Sequence, residues 1–347
     1  MNRKERVRRA IAHQEPDRVP KGELAIEHDF AVNLVGEELP ERELIHRTHE
    51  MLNMDLWVCG DWPRPKVDET DEGYAIVRDS WGRLLVDNGV SQETIETPIK
   101  SIDLAHEYRA PTLDDITGGD MAWVVANTDF FSVGLVNSVF EDVYNLIGFN
   151  EYLMVLATEP ERLRYLAQLC AEYEVAKASR FLDLGADMIV IVEDIAHNTG
   201  TFISPLALRS EIFPYMTWQV EHIKRHRDVP VLFHSDGDLN TVLDDIVSCG
   251  YDGLQSLQPS ANMDIARIKA AYGDRLCLMG NIDINYVLPF GSTQEVRDAV
   301  RDTIRVAAPG GGYILSTCNT LIRAIPPENG LAMYRACDEF GTYPLAR

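Results

Sequence analysis

His234 and Asp236 close an apolar run, Val-Pro-Val-Leu-Phe-His-Ser-Asp-Gly-Asp over positions 229–238. Such a run looks like a buried parallel strand whose carboxyl end opens into an active site. An imidazole two residues before a carboxylate offers donors for a metal or for acid–base work. The plainer alternatives are a histidine bonded to a backbone carbonyl and an aspartate that caps the next helix. Two more residues stand at comparable strand ends, Glu193 and Cys318. His234, Cys318 and one or two carboxylates from Glu193 and Asp236 form the N, S and O set that zinc accepts, three protein ligands with an open fourth position being the catalytic pattern. As catalytic groups the same reasoning nominates Glu193, His234 and Asp236. No tight spacing ties these residues together, since each comes from a different strand. The competing reading packs Cys318 in the core and gives the acids to polar substrate groups.

Those residues need a scaffold that gathers strand ends. Apolar runs at 21–26, 56–58, 122–126, 188–192, 230–233, 253–257, 276–279 and 313–316 alternate with helical patterns, the longest helix spanning 160–184 behind Thr158-Glu159-Pro160-Glu161. Further helices are expected at 41–51, 205–227, 239–248, 264–272, 293–307 and 328–340. Eight strands alternating with helices in 347 residues predict α/β architecture, a closed (β/α)8 TIM barrel forming one domain over 1–347, in preference to an open doubly wound sheet. Residues 2–13 form an N-terminal helical extension. Alternation between Tyr74 and Ile95 around Asp79-Ser80-Trp81-Gly82 predicts an inserted β-hairpin at the barrel mouth. Trp62, Tyr74 and Trp81 either wall an aromatic substrate there or pack the hairpin. Reactive groups of such a barrel sit at the carboxyl ends of its strands. Reading those ends gives Glu27, His28 and Asp29; Asn127 and Asp129; Glu193 and Asp194; His234 and Asp236; Gln255 and Gln258; Asn281 and Asp283; Cys318 and Asn319.

Composition removes several classes of function. A formal charge of -23 repels phosphate backbones and anionic lipid, and the basic start from Arg3 to Arg9 is too short to reverse that, so neither nucleic acid nor a membrane surface is an expected partner. No apolar stretch approaches the ~20 residues of a membrane span, and no apolar segment follows the basic start. A soluble, cytoplasmic protein is expected. Six cysteines without paired spacing fit reduced thiols.

Two motifs carry less than they promise. Asp194-Ile-Ala-His197-Asn-Thr-Gly200 is similar to a corrinoid-binding Asp-x-His-x-x-Gly, but its Asp lies three residues before the His instead of two, and no glycine-rich flavodoxin-like segment follows. Pro309-Gly-Gly-Gly312 precedes a strand, whereas phosphate cradles follow one, so it reads as the turn into strand eight.

The start from Arg3 to Pro20, the block His234-Ser-Asp-Gly237, the strand entry Gly310-Gly-Gly-Tyr-Ile-Leu315 and Pro326-Pro-Glu-Asn329 together resemble the uroporphyrinogen decarboxylase superfamily over nearly the whole chain. The resemblance implies a (β/α)8 barrel, and either a decarboxylase or a zinc-dependent methyltransferase that works with a corrinoid protein. Decarboxylases of this superfamily carry early arginines for the substrate's carboxylates, whereas Glu23-Leu-Ala-Ile-Glu-His-Asp29 has none. The coenzyme M branch carries His-x-Cys and a late Cys; here His234 and Cys318 match the outer two, and Asp236 replaces the middle thiol. Exchanging sulfur for oxygen favours an oxygenated methyl donor over a thiol. The resemblance therefore implies a corrinoid-dependent methyltransferase of O-demethylase type, with zinc on His234, Cys318 and Glu193 or Asp236, a small methoxy substrate, aromatic or not, and a separate corrinoid protein. The alternatives are a carboxy-lyase and a barrel that only binds a ligand.

Overall fold

The computed structural model describes residues 1–88 and 92–345. Seven parallel strands form one sheet in sequence order: β1 (Leu56–Cys59), β2 (Phe131–Asn137), β3 (Met188–Val192), β4 (Val231–Ser235), β5 (Gly253–Ser256), β6 (Cys277–Ile282) and β7 (Tyr313–Thr317). The chain segment around Lys21 joins the two edges. Leu315 donates to the Pro20 carbonyl, Gly22 donates to the Leu315 carbonyl, and Asp55 donates to the Lys21 carbonyl. A short pair, Ala25–Ile26 with Thr320–Leu321, continues that seam. The (β/α)8 barrel is closed as the alternation predicts.

Period-two alternation sorts each strand into two faces. Leu56, Phe131, Val133, Leu135, Met188, Val190, Leu232, Cys277, Met279 and Ile314 fill the barrel interior, with Val7 and Ala10 of the first helix among them. Their sequence neighbours, such as Ile189, Ile191, Val231 and Phe233, pack outward in the larger core shared with the helices. The amino-terminal helix Arg3–Ile11, capped by Asn2, thus meets the interior cluster directly. It is tied down by Asp55, fully buried, whose carboxylate accepts from Arg6 at 2.6 Å and Arg18 at 2.7 Å.

Three expectations are corrected. Residues 122–126 lie in a helix, Met121–Asn127, and the strand comes nine residues later at Phe131–Asn137. Both runs are short and apolar, and length alone could not rank them; Asn127 and Asp129 consequently lie before a strand and not at its mouth end. The expected hairpin is a four-stranded antiparallel sheet spanning 66–96, of which residues 89–91 lie outside the described residues. The helix expected from 239 begins at Leu243. Among the described residues no helix is long and apolar enough to cross a membrane, and all six cysteines are free and buried. The Pro309–Gly312 turn holds three glycines at positive φ. A Cβ on Gly311 would meet the backbone of Gln14 at 2.7 Å, so only glycine lets the amino-terminal segment approach there.

Candidate metal centre at the barrel mouth

Strands β3 and β4 are hydrogen-bonded neighbours, and β4 pairs with β5 so that His234 stands directly beside Gln255. Both side chains follow interior positions, His234 two residues after Leu232, and both are buried. The ring Nδ1 of His234 bonds the Gln255 side-chain oxygen. A proton held there leaves the Nε2 lone pair free, the arrangement by which an outer partner fixes a ligating imidazole. Nε2 faces Asp194, 3.9 Å from its Oδ1.

Asp194, His234 and Asp236 form the one group of three among the described residues whose ligand atoms lie together, all within 4.8 Å of one another. Each carboxylate is oriented. Asp194 accepts the backbone N–H of Asp236 at 2.7 Å. Asp236 accepts the Ser256 hydroxyl at 2.7 Å and the Asn319 side-chain amide. The capping role open to Asp236 from sequence is therefore not the one it plays. Burial pushes the Asp194 carboxyl above its ordinary value, with His234 pulling down and Asp236 pushing up. One imidazole and two carboxylates, each held by outer partners, fit a divalent cation.

Gly237 lets this centre be covered. Its φ is +86°, and a Cβ would lie 2.6 Å from the backbone of Ala196, in the small antiparallel pair Ala196–His197 and Gly200–Thr201. Asp238 donates to the His197 carbonyl at 2.9 Å across the same contact. His197, the residue of the corrinoid-like motif, is exposed and bonds Thr199.

Glu193 and Cys318 stand at the same end of the barrel but outside that trio. Glu193 follows the outward-facing Ile189 and Ile191, and its carboxyl accepts the N–H groups of Phe140 and Glu141, the first turn of the helix Val139–Ile147. Ser138, which precedes this helix, makes no side-chain cap, so Glu193 does that work from a neighbouring strand. Burial, reinforced by Glu141, holds the Glu193 carboxyl well above its ordinary range. Cys318 is 1% exposed, and burial pushes its thiol up to about 12. The adjacent Asn319, not the thiol, reaches Asp236. The candidate trio contains Asp194 where the sequence reading offered Glu193. The alternation of β3 was the signal: Met188 and Val190 face inward, and the same parity reaches Asp194, whereas Glu193 shares the outward parity of Ile191.

A family model described as uroporphyrinogen decarboxylase (URO-D) matches residues 126–340. The methylcobamide:CoM methyltransferase MtaA of Methanosarcina barkeri is 25% identical over 196 residues, 56% of this chain and 54% of its own length. A uroporphyrinogen decarboxylase of Chlorobaculum tepidum is 27% identical over 175 residues, 49% of this chain and 47% of its own. The chain thus spans about half the length of these curated relatives. A solved structure of a methyltransferase from Methanosarcina mazei shares the fold, with a TM-score of 0.77 at 19% identity over 98% of this chain and 99% of that one.

Proposed function

This chain belongs to the uroporphyrinogen decarboxylase family, and from that premise we propose that it is a corrinoid-dependent methyltransferase, moving a methyl group between a small oxygenated substrate and a corrinoid carried by a separate protein. The observation that carries the reading is the pre-oriented trio of Asp194, His234 and Asp236 at the barrel mouth. It is supported by similarity to a methylcobamide-dependent methyltransferase. A zinc ion would be held by His234 Nε2 and the two aspartates, with Cys318 beside the centre. Bound there, the metal supplies Lewis acidity toward the substrate oxygen, and a donor set poorer in sulfur suits an oxygen substrate such as a methyl ether.

The chain's own residues do the positioning. Gln255 sets the ring of His234, Ser256 and Asn319 aim Asp236, and Glu193 fixes the helix that carries Glu141. No protein nucleophile is required, because a reduced corrinoid on the partner protein would supply it, and the C–O electron pair would leave with the substrate oxygen. The test is anaerobic incubation of the metal-loaded protein with reduced cobalamin and a panel of methyl ethers, following the absorbance of methylcobalamin. Methylcobalamin should form with at least one ether in the wild type and fail to form in Asp236→Asn. Formation at the wild-type rate in the metal-stripped protein would overturn the proposal.

A further inference from the structure

A second cavity, about 380 Å³, lies between the inserted sheet and the helices Val139–Ile147 and Arg164–Asp183. That volume suits a small ring compound. Trp62, Trp81, Tyr144 and Tyr173 contribute flat apolar walls. Lys177 also lines it, 3% exposed, and among the described residues its ammonium makes no hydrogen bond. Its neighbours are the Glu174 carboxylate at 3.6 Å and the Trp62 ring at 4.7 Å. With a carboxylate only at ion-pair range, the ammonium keeps donors free for a ligand in the cavity. Arg64, which also lines the cavity, bonds only the Gln92 side chain and has no carboxylate within ion-pairing distance among the described residues.

The acids of this cavity are differently placed. Asp61 accepts from Thr117 and Gly118, Asp79 accepts from Arg83, and Glu141 accepts from the Tyr144 hydroxyl. Asp142 takes the Asn137 amide at 3.0 Å, and burial together with Glu174 pushes its carboxyl above the ordinary range. Unspent donors and aromatic walls lining one cavity call for a flat anion.

We propose that this cavity binds a small aromatic carboxylate, its ring between the tryptophans and tyrosines and its carboxylate on Lys177 and Arg64. Glu141 also lines the cavity, and the charge of Asp194 helps to raise its carboxyl, after burial as the larger cause. That the ligand is the methyl donor, a ring bearing both carboxylate and ether, rests on the function proposed above; that the cavity takes an aromatic carboxylate does not.

The experiment titrates the metal-loaded protein with benzoate and with benzamide, of the same shape but uncharged, following tryptophan fluorescence. Benzoate should bind at least tenfold more tightly than benzamide, and Lys177→Gln should remove that preference while metal content stays at the wild-type level. Equal binding of the two compounds, or an undiminished preference in folded Lys177→Gln, overturns the site. Because Lys177 also faces Glu174, Trp62→Ala gives an independent arm. Trp62 is 39% exposed; in Trp62→Ala with native far-ultraviolet circular dichroism, benzoate binding should fall about tenfold, and unchanged affinity there also overturns it. Binding is read without any corrinoid, so a protein that holds benzoate and transfers no methyl group upholds the site and removes only the function proposed above.

Discussion

Two groups of acids lie near the carboxyl ends of the strands and have opposite characters. At the mouth, Asp194 and Asp236 receive donors from Asp236 N–H, Ser256 and Asn319, and they share space with an imidazole. Outside the barrel wall, Asp142, Glu174 and Glu193 are buried with one carboxylate oxygen each lacking a hydrogen-bond donor. Glu23, at the seam, belongs with the second group: it is fully desolvated and pushed up to about 7, although Thr317 donates to it at 2.9 Å and 2.6 Å. The difference teaches which carboxylates can meet a cation. Acids that face a shared space beside a free imidazole lone pair can meet a cation there, whereas acids buried among the helices hold elements together.

The largest effect expected from that contrast is on metal binding. His234→Ala should lose stoichiometric metal by elemental analysis while far-ultraviolet circular dichroism stays native, and Glu193→Gln should keep both, since an amide oxygen still accepts from the helix. Full metal occupancy in His234→Ala would take the histidine out of the centre. Next comes a pH effect of the second group. Glu23 has its folded value raised from 4.5 to about 7, so its favourable contribution is complete below pH 4.5 and is lost as pH rises to 7. The loss is about 3 kcal/mol. Urea unfolding of Glu23→Gln at pH 5 and pH 8 should show a correspondingly smaller fall than the wild type; an equal fall would mean that Glu23 is ionised in the folded protein.

A smaller change is expected from the outer partners of the trio. Ser256→Ala leaves the ligands in place and should weaken metal affinity by roughly 10- to 100-fold in competition with a chelator, and wild-type affinity would separate Ser256 from the centre. The smallest is a control remote from both groups. Ser292 and Glu295 form a reciprocal cap on the helix Thr293–Ala307, so Ser292→Ala should cost about 1 kcal/mol in denaturant unfolding and leave metal content untouched.

Much of this was legible in the residues. The strands at 188–192 and the helix at 293–307 fall at the expected positions because apolar runs there are bounded by unambiguous turn and cap residues. His234 and Asp236 were visible as polar residues that end an apolar strand. Asp194 was not separated from Glu193, because choosing between adjacent acids needs the facing of the strand, and that emerges only once the inward Met188 and Val190 are told from the outward Ile189 and Ile191. The strand at 131–137 lost to the helix at 121–127 for a related reason: two neighbouring apolar runs of about seven residues carry no internal sign of which is extended. The cavity around Lys177 assembles from an insertion, a loop and two helices, contacts that no local pattern encodes.

The seam at Lys21 bears on how the molecule comes into being. Pro20 and Gly22 bond Leu315, roughly 300 residues away, and Asp55 bonds Lys21 on the other side. During synthesis the early segment therefore has only one of its two neighbours until the seventh strand has left the ribosome, and the growing sheet keeps an unpaired edge for almost the whole of translation. Closure is a late event set by the order of the chain, and a protein of this design spends its most aggregation-exposed interval just before its last strand arrives.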